Sequence, residues 1–214
     1  MDTQNPIRFV TAASLFDGHD AAINVMRRIL QQAGCEVVHL GHNRSVADIV
    51  QAAIQEDAQG VAVSSYQGGH LEFFKYMKDL LDEHGAGHIK IFGGGGGTIV
   101  PREIEELQAY GITRVFSPED GRRLGLEGMI GSMVEACDFD PLDVAAPKPL
   151  RSNGAPALDD TWRSSLEIAR LITYAERNGV RPPEEVEAIL GPVRAASKES
   201  KGPVVGITGP GGAG

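Results

Sequence analysis

The Asp17-Gly18-His19 triplet is the part of this sequence best equipped for metal chemistry. A carboxylate two residues from an imidazole can accept the proton of one ring nitrogen. That fixes the tautomer and makes the other nitrogen a better donor to a metal. His39, His42, His70, His84 and His88 have no such carboxylate in a matching loop. One histidine cannot build a zinc site, which needs several protein ligands. A metal at His19 must therefore arrive in a cofactor that brings most of its own coordination sphere. Two more pieces stand out: Ser64, and the five consecutive glycines 93–97. A second glycine-rich stretch, Gly209, Pro210, Gly211, Gly212, Ala213 and Gly214, matches the opening of the phosphate-binding pattern G-x-x-x-x-G-K-[ST] and comes after an apolar run at 204–207. In that pattern glycine-rich backbone cradles phosphates at a helix start. The sequence stops before the lysine and the hydroxyl that contact phosphate and magnesium, so the expectation is a fragment of a longer polypeptide cut inside its next domain.

Each of the first three pieces stands after an apolar, β-prone run: 8–14 before the triplet, 60–63 before Ser64, 88–92 before the glycines. Together with 36–40 and 114–116 these make five predicted strands. Amphipathic stretches at 20–33, 45–57, 69–83, 101–109 and 121–136 alternate with them, the pattern of βαβ units and a parallel sheet. In the first stretch Ala22, Val25, Met26, Ile29 and Leu30 share a stripe; in the second Val46, Ile49, Val50 and Ala53 do. Gly34 is placed to stop the first helix, Ser45 to cap the second and Pro101 to open the fourth. The predicted fold is a flavodoxin-like, doubly wound five-stranded parallel sheet of order 2-1-3-4-5. In that order strands 1, 3 and 4 are neighbours, and ligands bind at their carboxyl ends. The three pieces then converge on one edge.

Residues 140–156 hold four prolines, as expected of an extended linker. Helical periodicity returns at 158–178, with Trp162, Leu166, Ala169, Arg170 and the residues from Ile172 to Tyr174 along it. A short helix is expected at 183–190. Neither can form a core alone. The expected organisation is a ligand-binding domain at 1–139, a Pro-rich linker with helices at 140–201, and the start of a P-loop domain at 202–214.

With 214 residues the chain can bury a sizeable core. A net charge of −9 argues against nucleic acid or an anionic membrane as the main partner, because phosphate binding needs a basic face. Two cysteines in no metal-type spacing point to a reducing, cytoplasmic setting. Neither a signal sequence nor an apolar run of about 18 residues is present.

The D-x-H at Asp17 and His19, the serine at 64 and the Gly-Gly within 93–97 resemble the D-x-H-x-x-G, S-x-L and G-G signature of B12-dependent mutases. The resemblance covers about residues 7–139. It implies that His19 replaces dimethylbenzimidazole as the lower cobalt ligand and that Asp17 hydrogen-bonds to His19. It implies too that Ser64 bonds the displaced benzimidazole tail while Gly93, Gly94 and Gly95 leave room for it. Gly18 lies within the motif. Ala22 stands where the family has glycine, and Tyr66 where it has leucine. A cobalamin domain ahead of a P-loop resembles the fused isobutyryl-CoA mutases, in which a G-protein chaperone lies between the cobalamin domain and a substrate-binding barrel. That likeness implies adenosylcobalamin as cofactor, GTP and Mg at the chaperone, acyl-CoA at a substrate domain outside this chain, and a homo-oligomeric full-length protein. The implied reaction is the radical interconversion of isobutyryl-CoA and n-butyryl-CoA.

Rival readings share the strand order. A corrinoid methyltransferase module is expected to carry a preceding helical cap, and only seven residues precede strand 1. A signalling receiver needs an acidic residue at the end of strand 3, where Ser64 stands, and a lysine after strand 5, where Ser117-Pro118 stands. A flavin carrier needs a Ser/Thr-rich phosphate cradle after strand 1.

Overall fold

The five apolar runs become one all-parallel sheet in the order β2-β1-β3-β4-β5. The computed structural model describes residues 3–18, 20–144, 162–177 and 182–199. The strands are β1 (Arg8–Ala13), β2 (Glu36–His39), β3 (Gly60–Ser64), β4 (Lys90–Gly94) and β5 (Arg114–Phe116). Between and after them run α1 (Ala21–Gln32), α2 (Val46–Gln55), α3 (His70–Glu83), α4 (Pro101–Tyr110) and α5 (Pro118–Cys137). The central strands read as continuous apolar runs because helices cover both faces. On one face Val10, Ala12, Val61, Val63, Ile91 and Val115 pack against α2, α3 and α4 through Ile49, Val50, Phe74, Met77 and Leu107. On the other, Phe9, Ala13, Ala62, Phe92 and Phe116 meet Ile23 and Leu30 of α1 and Ile130, Met133 and Val134 of α5.

Local signals set most of the ends. Ser45 and Asp48 form a reciprocal capping box on α2, and Ser117 and Asp120 do so on α5. Gly34 comes after α1 at φ +95°, a value that glycine adopts without strain. Several boundaries differ from expectation. β4 begins at Lys90 rather than 88 and runs through Gly93 and Gly94, which pair with Val115 and Phe116 of β5; a ladder needs only backbone, so glycine continues it. α5 begins at Pro118, not 121, because the capping box sits at Ser117, and it is broken at Gly125 (φ 66°, ψ 175°). The last helix reaches Glu199 rather than 190.

Past the sheet, α6 (Pro141–Val144) occupies the start of the expected linker, and α7 (Trp162–Glu176) and α8 (Pro183–Glu199) come after it. Helix α7 docks on α2, and its Leu166 joins the main core. Leu142, Tyr174, Val186 and Leu190 tie α6, α7 and α8 into a satellite cluster. Of the predicted α7 stripe, Leu166, Ala169, Arg170, Thr173 and Tyr174 are buried, whereas Ile172 is exposed.

Docking α7 places charge under cover at the amino edge of the sheet, opposite the ligand edge. The Arg170 guanidinium lies 3.8 Å from the Asp57 carboxylate, and both side chains are nearly or fully buried. Burial pushes the Asp57 carboxyl above its ordinary value, and Thr173 and Arg170 draw it back in part. Nearby, His88 is pushed down to about 4 by burial first, then by Arg170 and Lys90. Its proton therefore binds the unfolded chain better between about pH 6.5 and 4. The stability that neutral His88 confers is complete above that window and is lost as pH falls through it. Urea titrations at pH 7 and pH 5 are expected to differ by on the order of 2 kcal/mol more in the parent than in His88→Gln; equal differences would refute the assignment.

Candidate functional site

Strand register brings the expected residues together. Ala13 pairs with Ser64, Ser64 with Gly94, and Gly94 with Phe116, so four strands contribute one cross-sheet row at their carboxyl ends. Side chains alternate faces along a strand, and this row shares the face of Ala62 and Phe92, the side of α1 and α5. Above it lies a cavity of about 380 Å³ between those two helices. Ala22, Val25 and Met26 of α1, Ser64 at the end of β3, Tyr66 after it, and Leu126 and Met129 of α5 are among its walls.

This cavity explains a departure in α1. Its apolar stripe implies core positions, yet Ala22 and Val25 are exposed, and Ile23 and Leu30 are the buried ones. Ala22 and Val25 line the cavity instead. The apolar residues are present because the slot is apolar.

Ser64 carries the sharpest chemical signal. It is 5% exposed, and its hydroxyl has no hydrogen-bond partner. A buried hydroxyl without a partner costs energy. A ligand group entering the cavity would satisfy it.

The glycine run divides its labour. A Cβ on Gly94 would meet nothing closer than the Phe116 carbonyl at 3.8 Å, so Gly94 leaves the slot open. A Cβ on Gly93 would point to the opposite face, 2.6 Å from the Phe74 ring. On Gly95 it would fall 1.9 Å from the Ser65 carbonyl oxygen, so here glycine permits the loops after β3 and β4 to touch. Gly96 (φ 56°) opens a 3₁₀ turn, Gly96–Thr98, beside the Tyr66 ring.

The loop after β1 is fastened on both sides. Ser14 N–H donates to the Ser64 carbonyl at 2.9 Å, and Ser14 Oγ donates to Ser65 Oγ at 3.0 Å. Asp17 is 3% exposed, and its Oδ2 accepts the Tyr66 backbone N–H at 2.7 Å. The carboxylate thus bridges the first and third loops, a role its spacing from His19 does not reveal. Gly18 is exposed. His19 lies outside the described residues, as do Gly209, Gly211, Gly212, Ala213 and Gly214 of the glycine-rich end.

At the far wall, Ser117 N–H and hydroxyl donate to Asp120. That backbone bond above all, with the Ser117 hydroxyl and the Arg123 and Arg114 guanidiniums, holds the Asp120 carboxyl down to about 2. The start of α5 is thereby pinned to β5.

Among the histidines without an adjacent carboxylate, His70 meets one from a distant helix. His70, 3% exposed, points its Nε2 at Glu103 Oε2 of α4 at 2.9 Å and its Nδ1 at the Gln67 carbonyl at 3.0 Å. The first contact clamps α3 to α4, and the second ties the start of α3 to the loop before it. No local sequence signal joins residues so far apart.

Among known proteins, a family model for the B12 binding domain matches residues 7–123. The chain is 60% identical over 212 residues to the fused isobutyryl-CoA mutase of Geobacillus kaustophilus, covering 97% of this chain and 19% of that protein. The chain spans about a fifth of the length of such relatives. It is 40% identical over 114 residues to the 2-hydroxyisobutanoyl-CoA mutase small subunit of Aquincola tertiaricarbonis, covering 53% of this chain and 82% of that subunit. The crystal structure of a cobalamin-binding protein from Desulfitobacterium hafniense shares the fold, with a TM-score of 0.51 at 23% identity over 62% of this chain and 60% of that one. Register, cavity and sequence likeness lead to one conclusion: the chain belongs to the B12 binding domain family.

Proposed function

We propose that this chain holds adenosylcobalamin with His19 as the lower cobalt ligand and the displaced nucleotide tail in the slot between α1 and α5. The observation that carries the reading is the partnerless Ser64 hydroxyl at the floor of a 380 Å³ cavity, beside the open face of Gly94. The residues present fit the group: the walls are mostly apolar, as a benzimidazole requires, and Ser64 offers one directed hydrogen bond. Asp17, anchored through Tyr66 N–H, holds the first loop where His19 would ligate. Adenosylcobalamin supplies a cobalt–carbon bond that can break homolytically, while the protein supplies position and electronics.

At the level of the whole polypeptide, the reading is an isobutyryl-CoA mutase, an isomerase that interconverts isobutyryl-CoA and n-butyryl-CoA. A G-protein chaperone using GTP and Mg, and an acyl-CoA-binding domain, complete it as a cytoplasmic homo-oligomer. Relatives named as acyl-CoA mutases support this over a corrinoid methyltransferase module. Two buried, unpaired thiols, Cys35 and Cys137, agree with a reducing setting. No helix among the described residues is long and apolar enough to cross a membrane.

Absorption titration with adenosylcobalamin tests the site. The parent chain is expected to give the His-ligated, base-off spectrum, His19→Ala to lose it, and Ser64→Ala to weaken binding about ten-fold by removing one hydrogen bond to the tail. An unchanged spectrum and affinity in His19→Ala would refute the ligand assignment.

A further inference from the structure

Phe16 is 84% exposed, more than any other large hydrophobic side chain among the described residues. Its φ is +65°, a left-handed value shared among described non-glycine residues only with Asn43 and Asp57. Asparagine and aspartate tolerate that region, and a bulky aromatic does not. A residue chosen only for folding would be glycine or asparagine with nothing apolar to expose. Here the opposite has happened twice, in backbone and in side chain.

The surrounding contacts hold the strain in place. Phe16 N–H donates to Asn43 Oδ1 at 2.9 Å, Asp17 N–H to the Ser14 carbonyl at 3.1 Å, and Arg44 N–H to the Ala13 carbonyl at 3.1 Å. On the near side Ser14 is bonded to Ser64 and Ser65; on the far side Asp17 is bonded to Tyr66. Strained backbone that its neighbours over-determine marks a functional position. What this device achieves is an aromatic ring standing free at the carboxyl edge, directly before Asp17. It is not among the slot walls.

We propose that Phe16 is a binding residue for the corrin macrocycle, an apolar platform that recognises the ring system independently of the slot that recognises the tail. This rests on the cobalamin reading. A large, flat, mostly apolar ligand beside the triplet is what an exposed aromatic there can cover, and burying a phenyl ring contributes roughly ten-fold or more in affinity.

The test titrates the parent chain, Phe16→Gly, Phe16→Trp and Ser64→Ala with two probes, cobalamin and cobinamide, the second lacking the nucleotide tail. Phe16→Gly is expected to weaken both probes by a similar factor of about ten, while Phe16→Trp retains both. Ser64→Ala is expected to weaken cobalamin alone. Because glycine adopts φ +65° freely, Phe16→Gly is also expected to unfold in urea at no lower midpoint than the parent. Unchanged affinities in Phe16→Gly, a loss confined to cobalamin, or a lowered urea midpoint would each overturn the platform role. If Ser64→Ala still discriminates between the probes in those cases, the tail reading stands; failure of the parent chain to bind either probe would instead remove the cobalamin reading itself.

Discussion

Gly95→Ala is expected to lower stability by about 3 kcal/mol and to lower cobalamin affinity with it. The new methyl would lie 1.9 Å from the Ser65 carbonyl oxygen and 3.1 Å from Ile99 Cγ1. The first of these is backbone and cannot rotate aside. Ser65 is itself held by its N–H to the Gly94 carbonyl at 2.7 Å and by its hydroxyl to Ser14, so the loops after β1, β3 and β4 would all have to part. Ser64, next in the chain, would move with them. Gly97→Ala is the control, since a Cβ there meets nothing within 4 Å. Urea midpoints of the two variants decide the matter; equal midpoints would show that the loops are free to separate.

The second large effect concerns the attachment of α7. Arg170→Met is expected to destabilise the chain by about 3 kcal/mol, because it leaves the Asp57 carboxylate buried without its counter-charge. Asp57→Asn with Arg170→Met in the same chain is expected to stay within about 1 kcal/mol of the parent, since removing both charges removes the desolvation cost along with the attraction. Asparagine is the right replacement because residue 57 sits at φ 46°. The pair is poorly arranged for strength: Arg170 Nε stands 3.8 Å from the carboxylate, too far for a hydrogen bond. Hydrogen exchange along α7 should rise in the single variant and recover in the double. If the double variant is as unstable as the single, packing of the arginine stem rather than charge holds α7 in place.

Several site features are legible without coordinates. The apolar run before Ser64 places it at the end of β3, and strand order places Gly94 beside it. Asp17 stands out in the sequence too, but as the partner of His19; its bond to Tyr66 N–H joins residues 49 positions apart, beyond any spacing argument. Ala22 and Val25 look like core positions because a helical stripe shows only that a face is apolar. It does not show whether packed protein or a cavity lies opposite. Phe16 gives no sign of its role in the sequence, because exposure and φ are properties of a closed loop and not of a residue type.

What the chain determined by itself was the order of its elements, the parallel sheet and the edge where the candidate site residues gather. Those arise from apolar periodicity, caps and glycine breaks, all of which act within a few residues. Only the tertiary structure decided which glycine opens the slot and which lets two loops touch, that the Ser64 hydroxyl is left without a partner, that α7 docks on α2, and that Phe16 stands clear of the surface. Each of these depends on atoms brought close from distant parts of the chain, and distance in space is not written in spacing along it.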